Sequence, residues 1–151
     1  MKLYLVQHCD ALSKDENPER PLSEKGLKDA IKMAAFLHNA NVLVDEVAHS
    51  GKLRAEETAA VLCKTVWLGQ AAVKMDGLKP GDPINHLMNT ALTSGGDLMV
   101  VGHMPFMGKM AAACLDGAII NYEPGAVLCL GRADDGWSLN WFIKPMMLRD
   151  L

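Results

Sequence analysis

Short apolar runs alternate along the chain with longer segments of helical periodicity. Four apolar runs, each bounded by polar or turn-forming residues, predict β-strands at about 2–7, 42–49, 73–75 and 97–101. Apolar residues that recur every three or four positions predict helices at about 24–38, 53–67, 83–92 and 105–115. Ser23 is a candidate N-cap for the first helix, and Pro83 suits the first position of the third.

The last part of the chain has a different pattern. Segments 126–131 and 137–143 predict two strands joined by a turn at Asp134-Asp135-Gly136, which is a hairpin signal. The preceding alternation of strands and helices predicts the α/β class: a three-layer α/β/α sandwich with a largely parallel central sheet and the hairpin near one edge. A length of 151 residues is typical of one domain, so we expect a single domain over residues 1–151.

Composition narrows the classes of function. The formal net charge of −3 gives no support for nucleic-acid binding, which a basic stripe would indicate. No apolar run approaches the roughly 20 residues that span a bilayer, and polar positions follow the first apolar run too soon for a signal peptide. The four cysteines lie far apart without a CxxC pair, which favours reduced thiols. We therefore expect a cytoplasmic protein with no membrane or nucleic-acid partner.

Candidate chemistry lies where three of the predicted strands end. His8 follows the first strand, the segment from Ser50 to Thr58 follows the second and contains Arg54, and His103 follows the fourth. In an open α/β sheet, ligands bind at the carboxyl ends of the strands. The three strand ends would therefore present two imidazoles and a guanidinium to one crevice, which suits an anion and contains a nucleophile.

Five stretches of the sequence extend this pattern: MKLYLVQH at 1–8, RPLSEKG at 20–26, SGKLRAEET at 50–58, LKPGD at 78–82 and VVGHMP at 100–105. Together they resemble the histidine phosphatase superfamily. Within that superfamily the chain is most similar to the small bacterial phosphohistidine phosphatases of the SixA type. The stretches occur in the family's order and span most of the chain, so the resemblance rests on their combination.

The resemblance implies a phosphoglycerate mutase-like fold. It also implies a phosphatase that hydrolyses phosphohistidine on a partner protein through a phospho-His8 intermediate, with His8, Arg54 and His103 catalytic. Phosphate binding is expected from Gln7, Arg20, Ser50, Arg54 and His103. The substrate would be a phosphorylated protein of the histidine-phosphotransfer type or a small phosphorylated molecule. We expect no cofactor and no metal ion.

One departure from the family lies in its Arg-His-Gly triplet, which here reads Gln7-His8-Cys9. The Gln7 amide donates hydrogen bonds but carries no charge. Hydrogen bonds to charged groups contribute about 1.5–3 kcal/mol against about 0.5–1.5 kcal/mol for neutral ones, so each lost charged contact costs about 1 kcal/mol. That loss is close to tenfold in rate, although Arg20, Lys52 or Lys79 could restore positive charge nearby. Cys9 adds strain if the backbone there needs a positive φ.

Two alternatives keep the phosphate site but change its function. The first is a catalytically weakened or inactive module that binds phosphate or a phosphoprotein, which Gln7 favours because binding survives the loss of one cation better than turnover does. The second is a small-molecule phosphomonoesterase. A sugar hydroxyl is a poor leaving group and needs a poised acid, for which Asp76 and Asp82 are the nearby candidates.

Two further alternatives change the chemistry of the site. Zinc accepts the residue types found at His8, Cys9, Asp10 and His103, but their spacing matches no metal motif. A thiol phosphatase centred on Cys9 is weaker still, because no arginine follows at loop distance to hold the anion.

Overall fold

The structure, a computed structural model, describes all 151 residues as one mixed six-stranded sheet with helices on both faces. Its strands are β1 (Lys2–Gln7), β2 (Glu46–His49), β3 (Val73–Lys74), β4 (Leu98–Gly102), β5 (Val127–Ala133) and β6 (Gly136–Ile143). Its helices are α1 (Glu24–Asn39), α2 (Leu53–Val66), α3 (Asn85–Thr93) and α4 (Phe106–Cys114), followed by a 3-10 turn at Pro145–Met147. None of the helices has the length and apolar character that crossing a membrane requires.

The strands follow the order β3-β2-β4-β1-β5-β6 across the sheet. The neighbours β3, β2, β4 and β1 are parallel, whereas β5 runs antiparallel to β1 and β6 antiparallel to β5. The predicted hairpin is therefore present at one edge, with Ala133 paired to Gly136 across its turn. The predicted three-layer class and the parallel centre of the sheet are confirmed.

The central strands β1 and β4 are buried on both faces of the sheet. Successive side chains of a strand point to opposite faces. In β1, Tyr4 and Val6 belong to a core cluster with α1 and α2. Leu3 and Leu5 belong to a second cluster with α3 and α4. This two-sided burial explains why the predicted strands appear as continuous apolar runs in the sequence.

A crevice forms where β1 and β4 lie side by side. The helix after β1 packs on one face of the sheet, and the helix after β4 packs on the other. The two connections therefore leave the carboxyl ends of adjacent strands in opposite directions. This is the topological switch point at which open α/β sheets bind ligands.

The start of α1 rests directly on the loop that follows β1. Ser23 caps α1 as predicted, since its Oγ accepts a hydrogen bond from Gly26 N at 3.0 Å. The same hydroxyl donates to Asp10 Oδ2 at 2.6 Å. A Cβ on Gly26 would collide with the Asp10 carbonyl oxygen, so this contact requires glycine. It fixes the loop that begins at His8 against the first helix.

The second strand is shorter than its apolar run suggests. We predict a strand over 42–49, and the structure has one only at Glu46–His49. Val42 and Val44 are buried, but their N–H groups donate to the carbonyls of Leu37 and Val66 near the ends of α1 and α2. The apolar run therefore predicts the burial of these residues correctly, but it predicts wrongly that they pair with a neighbouring strand.

We predict that Gly26→Ala lowers the free energy of unfolding by about 1–3 kcal/mol, because the new Cβ must displace backbone. Gly95→Ala is the matched control, since open space surrounds Gly95. That control is expected to leave stability unchanged or to raise it by up to about 1 kcal/mol. Denaturant unfolding measures both, and equal midpoints would contradict the close approach.

Candidate active site

Strand register brings both predicted imidazoles to the crevice. Gln7 of β1 pairs with Gly102 of β4, and His8 N donates to the Gly102 carbonyl at 2.9 Å. His8 and His103 each lie one residue beyond this pair, and their ring centroids are 5.1 Å apart. Because β2 flanks β4 on its other side, Ser50 reaches the same edge, with its Oγ 2.7 Å from His103 Nε2.

The His8 ring is held in one tautomer. Its Nδ1 lies 2.7 Å from the Cys9 carbonyl oxygen. Since a carbonyl only accepts, Nδ1 carries the proton and Nε2 keeps a free lone pair. Burial lowers the pKa of His8, and the cations of Arg54 and Arg20 lower it further. The ring is therefore neutral near pH 7 and can act as a nucleophile through Nε2.

The His103 ring is 2% exposed and is oriented by Ser50. Ser50 Oγ accepts a hydrogen bond from Lys52 N at 3.3 Å, and we assign its own proton to the contact with His103 Nε2. The remaining proton of the neutral ring is then on Nδ1. Burial lowers the pKa of His103 to about 3, with further lowering by His8 and Arg54. Ser50 thus contacts His103, and its predicted contact with phosphate stays a prediction.

Arg54 lies in the first turn of α2, where the helix dipole favours an anion. Its carbonyl accepts a hydrogen bond from Thr58 Oγ1 at 2.8 Å, and that hydroxyl accepts one from Cys9 N at 3.0 Å. Thr58 therefore ties the helix carrying Arg54 to the loop carrying His8. In the sequence, the only signal that Thr58 links these two segments is its position one helical turn after Arg54.

Three buried polar side-chain atoms of the chain lack a hydrogen-bond partner: Gln7 Oε1, Arg54 Nε and His103 Nδ1. Folded proteins leave few such atoms, so their concentration in one place calls for a cause. All three belong to residues predicted to hold the anion. Arg54 Nε and His103 Nδ1 are donors, and a half-turn of the Gln7 amide presents its NH₂ group instead of its oxygen. An oxyanion would accept from all three.

Arg20 reaches the site from a loop with a strained backbone. Its φ is 53°, which is uncommon for a residue other than glycine. Arg20 Nε donates to the Leu12 carbonyl at 2.9 Å, and Leu22 N donates to Glu57 Oε1 at 2.8 Å. Glu57 therefore holds this loop in place. The strain is tolerated because contacts on both sides of Arg20 fix its conformation.

A cavity of ≈ 700 Å³, called the outer cavity below, opens beside this cluster. It is lined by Lys14, Pro18, Glu19, Arg20, Lys52, Leu53, Arg54, Lys79 and Pro80. Neither catalytic histidine candidate lines it. The outer cavity shares Arg20 and Arg54 with the site around the His8 and His103 rings, so it forms the approach to these rings.

The chain is similar to known proteins in sequence and in fold. No protein-family model matches the chain. The chain is 26% identical over 157 residues to phosphohistidine phosphatase SixA of Escherichia coli (strain K12), across 99% of this chain and 97% of the relative. The structure of the protein histidine phosphatase SixA complexed with tungstate matches with a TM-score of 0.86 at 23% identity, covering 97% of this chain and 99% of the other.

The chain is similar to the SixA-type phosphatases of the histidine phosphatase superfamily in sequence and in fold. The fold extends to more distant relatives. Phosphoserine phosphatase from Entamoeba histolytica, in complex with 3-phosphoglyceric acid, matches with a TM-score of 0.73 at 13% identity, over 95% of this chain and 96% of the other. The phosphoglycerate mutase-like fold is therefore confirmed.

Cys9 occupies the position at which the resemblance to this superfamily implies glycine. The expected strain does not arise, because Cys9 does not have a positive φ. Space for its side chain comes from Gly125, where an added Cβ would lie 3.2 Å from Cys9 Sγ. Burial raises the pKa of the Cys9 thiol to about 12. The thiol is therefore protonated at neutral pH, whereas a nucleophile must be a thiolate.

Carboxylates near the site are engaged elsewhere or exposed. Asp10 accepts a hydrogen bond from Ser23, and Asp82 Oδ2 accepts one from Lys79 N at 2.9 Å. Neither Asp76 nor Asp82 lines the outer cavity, whose one carboxylate belongs to the exposed Glu19. No group of three or more histidine, cysteine, aspartate or glutamate side chains is arranged to hold a metal ion.

We predict that ¹⁵N NMR shows both His8 and His103 as neutral Nδ1–H tautomers at pH 7. Ser50→Ala should reduce the Nδ1–H fraction of His103, because Nε2 loses its donor, while Ser138→Ala on the exposed strand β6 should not. A protonated Nε2 on His103 of the unsubstituted chain would contradict the assignment.

The lowered pKa values also set the response to acid. Unfolding restores histidine pKa values near 6.5, so below that pH the unfolded chain binds more protons than the folded one. The free energy of unfolding should therefore fall as the pH decreases from about 6.5 towards the folded pKa of His103, about 3. Denaturant unfolding at several pH values measures this, and His103→Asn should flatten the slope.

Proposed function

We propose that this phosphatase hydrolyses phosphohistidine carried by a partner protein, with His8 as the residue that accepts the phosphoryl group. One observation carries the proposal: a neutral imidazole with a free Nε2 lies among buried polar groups that lack partners. A nucleophile is thus placed beside a site that needs an oxyanion to complete its hydrogen bonds.

In the first step, His8 Nε2 attacks phosphorus and forms the P–Nε2 bond while the P–N bond to the donor imidazole breaks. The donor ring carries a proton on its other nitrogen, so it keeps that electron pair and leaves as neutral imidazole. Arg54 and His103 Nδ1–H hold the equatorial oxygens, where negative charge must be stabilised. The Cys9 carbonyl stabilises the positive charge that develops on the His8 ring.

In the second step, water attacks phosphorus and the P–Nε2 bond breaks. His8 Nε2 recovers its lone pair, and inorganic phosphate and a proton leave. Arg54 and His103 act on the same oxygens in both steps, because the phosphoryl group is bound to His8 between them. Removing one such preorganised donor typically lowers kcat by about 10²–10³-fold.

The leaving group favours phosphohistidine over a phosphate ester. A donor ring that is protonated on its other nitrogen leaves as neutral imidazole, whose conjugate acid has a pKa near 6.5, so its departure needs no general acid. An alkoxide needs an acid, and the carboxylates nearest the site are exposed or already accept hydrogen bonds. The Escherichia coli relative is a phosphohistidine phosphatase, and a SixA structure holds tungstate, an oxyanion of phosphate-like shape.

Gln7 removes one positive charge from this site, but other cations remain. The resemblance implies an arginine at this position, and the neutral amide loses about 1 kcal/mol per charged contact. Arg20 and Lys52 remain close enough to lower the pKa of His103. We therefore propose that turnover is reduced.

We also propose a cytoplasmic location, because all four cysteines are free and buried.

We predict that ³²P-phosphoimidazole labels the chain in quenched reactions and that His8→Ala abolishes the label. His38→Ala, on the exposed end of α1, is the control and should keep it. Gln7→Arg should raise turnover up to about tenfold by restoring one charged contact. Label that persists in His8→Ala would reject the nucleophile. Phosphate release by the Gln7→Arg variant alone would make the natural chain a binding module.

We predict that kcat/KM for phosphoimidazole exceeds that for phosphoserine by at least about 10²-fold, the usual contribution of a general acid. Steady-state phosphate release measures both, and p-nitrophenyl phosphate, with its weakly basic leaving group, should fall between them. Equal values for phosphoserine and phosphoimidazole would indicate an acid in the site and favour the phosphomonoesterase alternative.

A further inference from the structure

The outer cavity carries an unusual concentration of unpaired positive charge. Five cations line it: Lys14, Arg20, Lys52, Arg54 and Lys79. None of them is in an ion pair, whereas the ion pairs of the chain involve lysines on α1 and Lys144. The chain as a whole has a net charge of −3, so this surface is opposite in sign to the rest.

We propose that these cations, called the basic rim, dock an acidic surface that surrounds the phosphohistidine of a partner protein. This inference rests on the proposed function and adds the chemistry of the partner. A single bound phosphoryl group would pair with Arg54 and Arg20, whose charges act on both imidazoles. Lys14 and Lys79 lie on exposed loops, so their charges are available to groups outside the phosphoryl group.

The rim is held in shape before any partner binds. Around Lys14, Ser13 N donates to Glu16 Oε1 at 3.1 Å, and Glu16 N donates back to Ser13 Oγ at 3.2 Å. Across the cavity, Asp82 caps the turn at Lys79. The charges therefore sit on ordered loops, and docking requires little further ordering of the backbone.

The lining of the outer cavity fits a protein surface better than a small molecule. Small-ligand pockets are lined mainly by apolar side chains that bury most of the ligand. Here Leu53 is the one apolar side chain apart from two prolines. Charges spread around a polar cavity instead steer an oppositely charged partner and set its orientation.

The experiment compares three substrates: phosphoimidazole and two phosphohistidine peptides of equal length, one flanked by glutamates and one by glutamines. For the unsubstituted chain at low salt, kcat/KM for the acidic peptide should exceed that for the neutral one by at least about fivefold, and 0.5 M NaCl should remove the difference. Lys14→Gln/Lys79→Gln should lower this acidic-to-neutral ratio towards one.

Lys2→Gln/Lys64→Gln is the matched control. It removes the same charge from the exposed start of β1 and the last turn of α2, both away from the rim, and should leave the ratio unchanged. Equal kcat/KM for the two peptides would overturn the docking proposal alone. If the two peptides gave equal kcat/KM and inorganic tripolyphosphate was also a tight competitive inhibitor, the basic rim would be assigned to a small polyanion instead. Failure to hydrolyse phosphoimidazole would instead overturn the proposed function.

Discussion

The parallel pairing of β1 with β4 is the constraint on which the site depends. It places Gln7 opposite Gly102, and the next residues of the two strands bring the His8 and His103 rings within 5.1 Å. The helices that follow leave to opposite faces of the sheet, so the space above these strand ends stays open. A one-residue shift of register would turn one imidazole towards the opposite face and separate the pair.

Burial and charge act in the same direction on the two rings. Desolvation disfavours the imidazolium form, and neighbouring guanidinium groups disfavour it again. Each ring is then given a fixed tautomer by one short hydrogen bond, His8 by the Cys9 carbonyl and His103 by Ser50. The same surroundings that keep the rings neutral also favour an anion, because the cations have no carboxylate partners within the protein.

The two departures from the Arg-His-Gly triplet have different structural consequences. Cys9 is accommodated at no visible strain, because Gly125 leaves room for its sulfur and its backbone φ is not positive. Gln7 is not compensated in the same way, since its Oε1 is buried without a partner. The first change is thus a matter of packing, whereas the second lies in the proposed anion site.

Local patterns in the sequence determined the elements, the three-layer class and the residue types at the strand ends, because apolar periodicity and capping act over a few residues. Only the tertiary structure decided which of these residues meet. Ser50 contacts His103 across 53 residues of sequence, and Thr58 contacts Cys9 across 49. It also decided that the apolar run from Val42 packs against helix ends before it becomes a strand. These outcomes depend on the register between distant segments, which no local pattern contains.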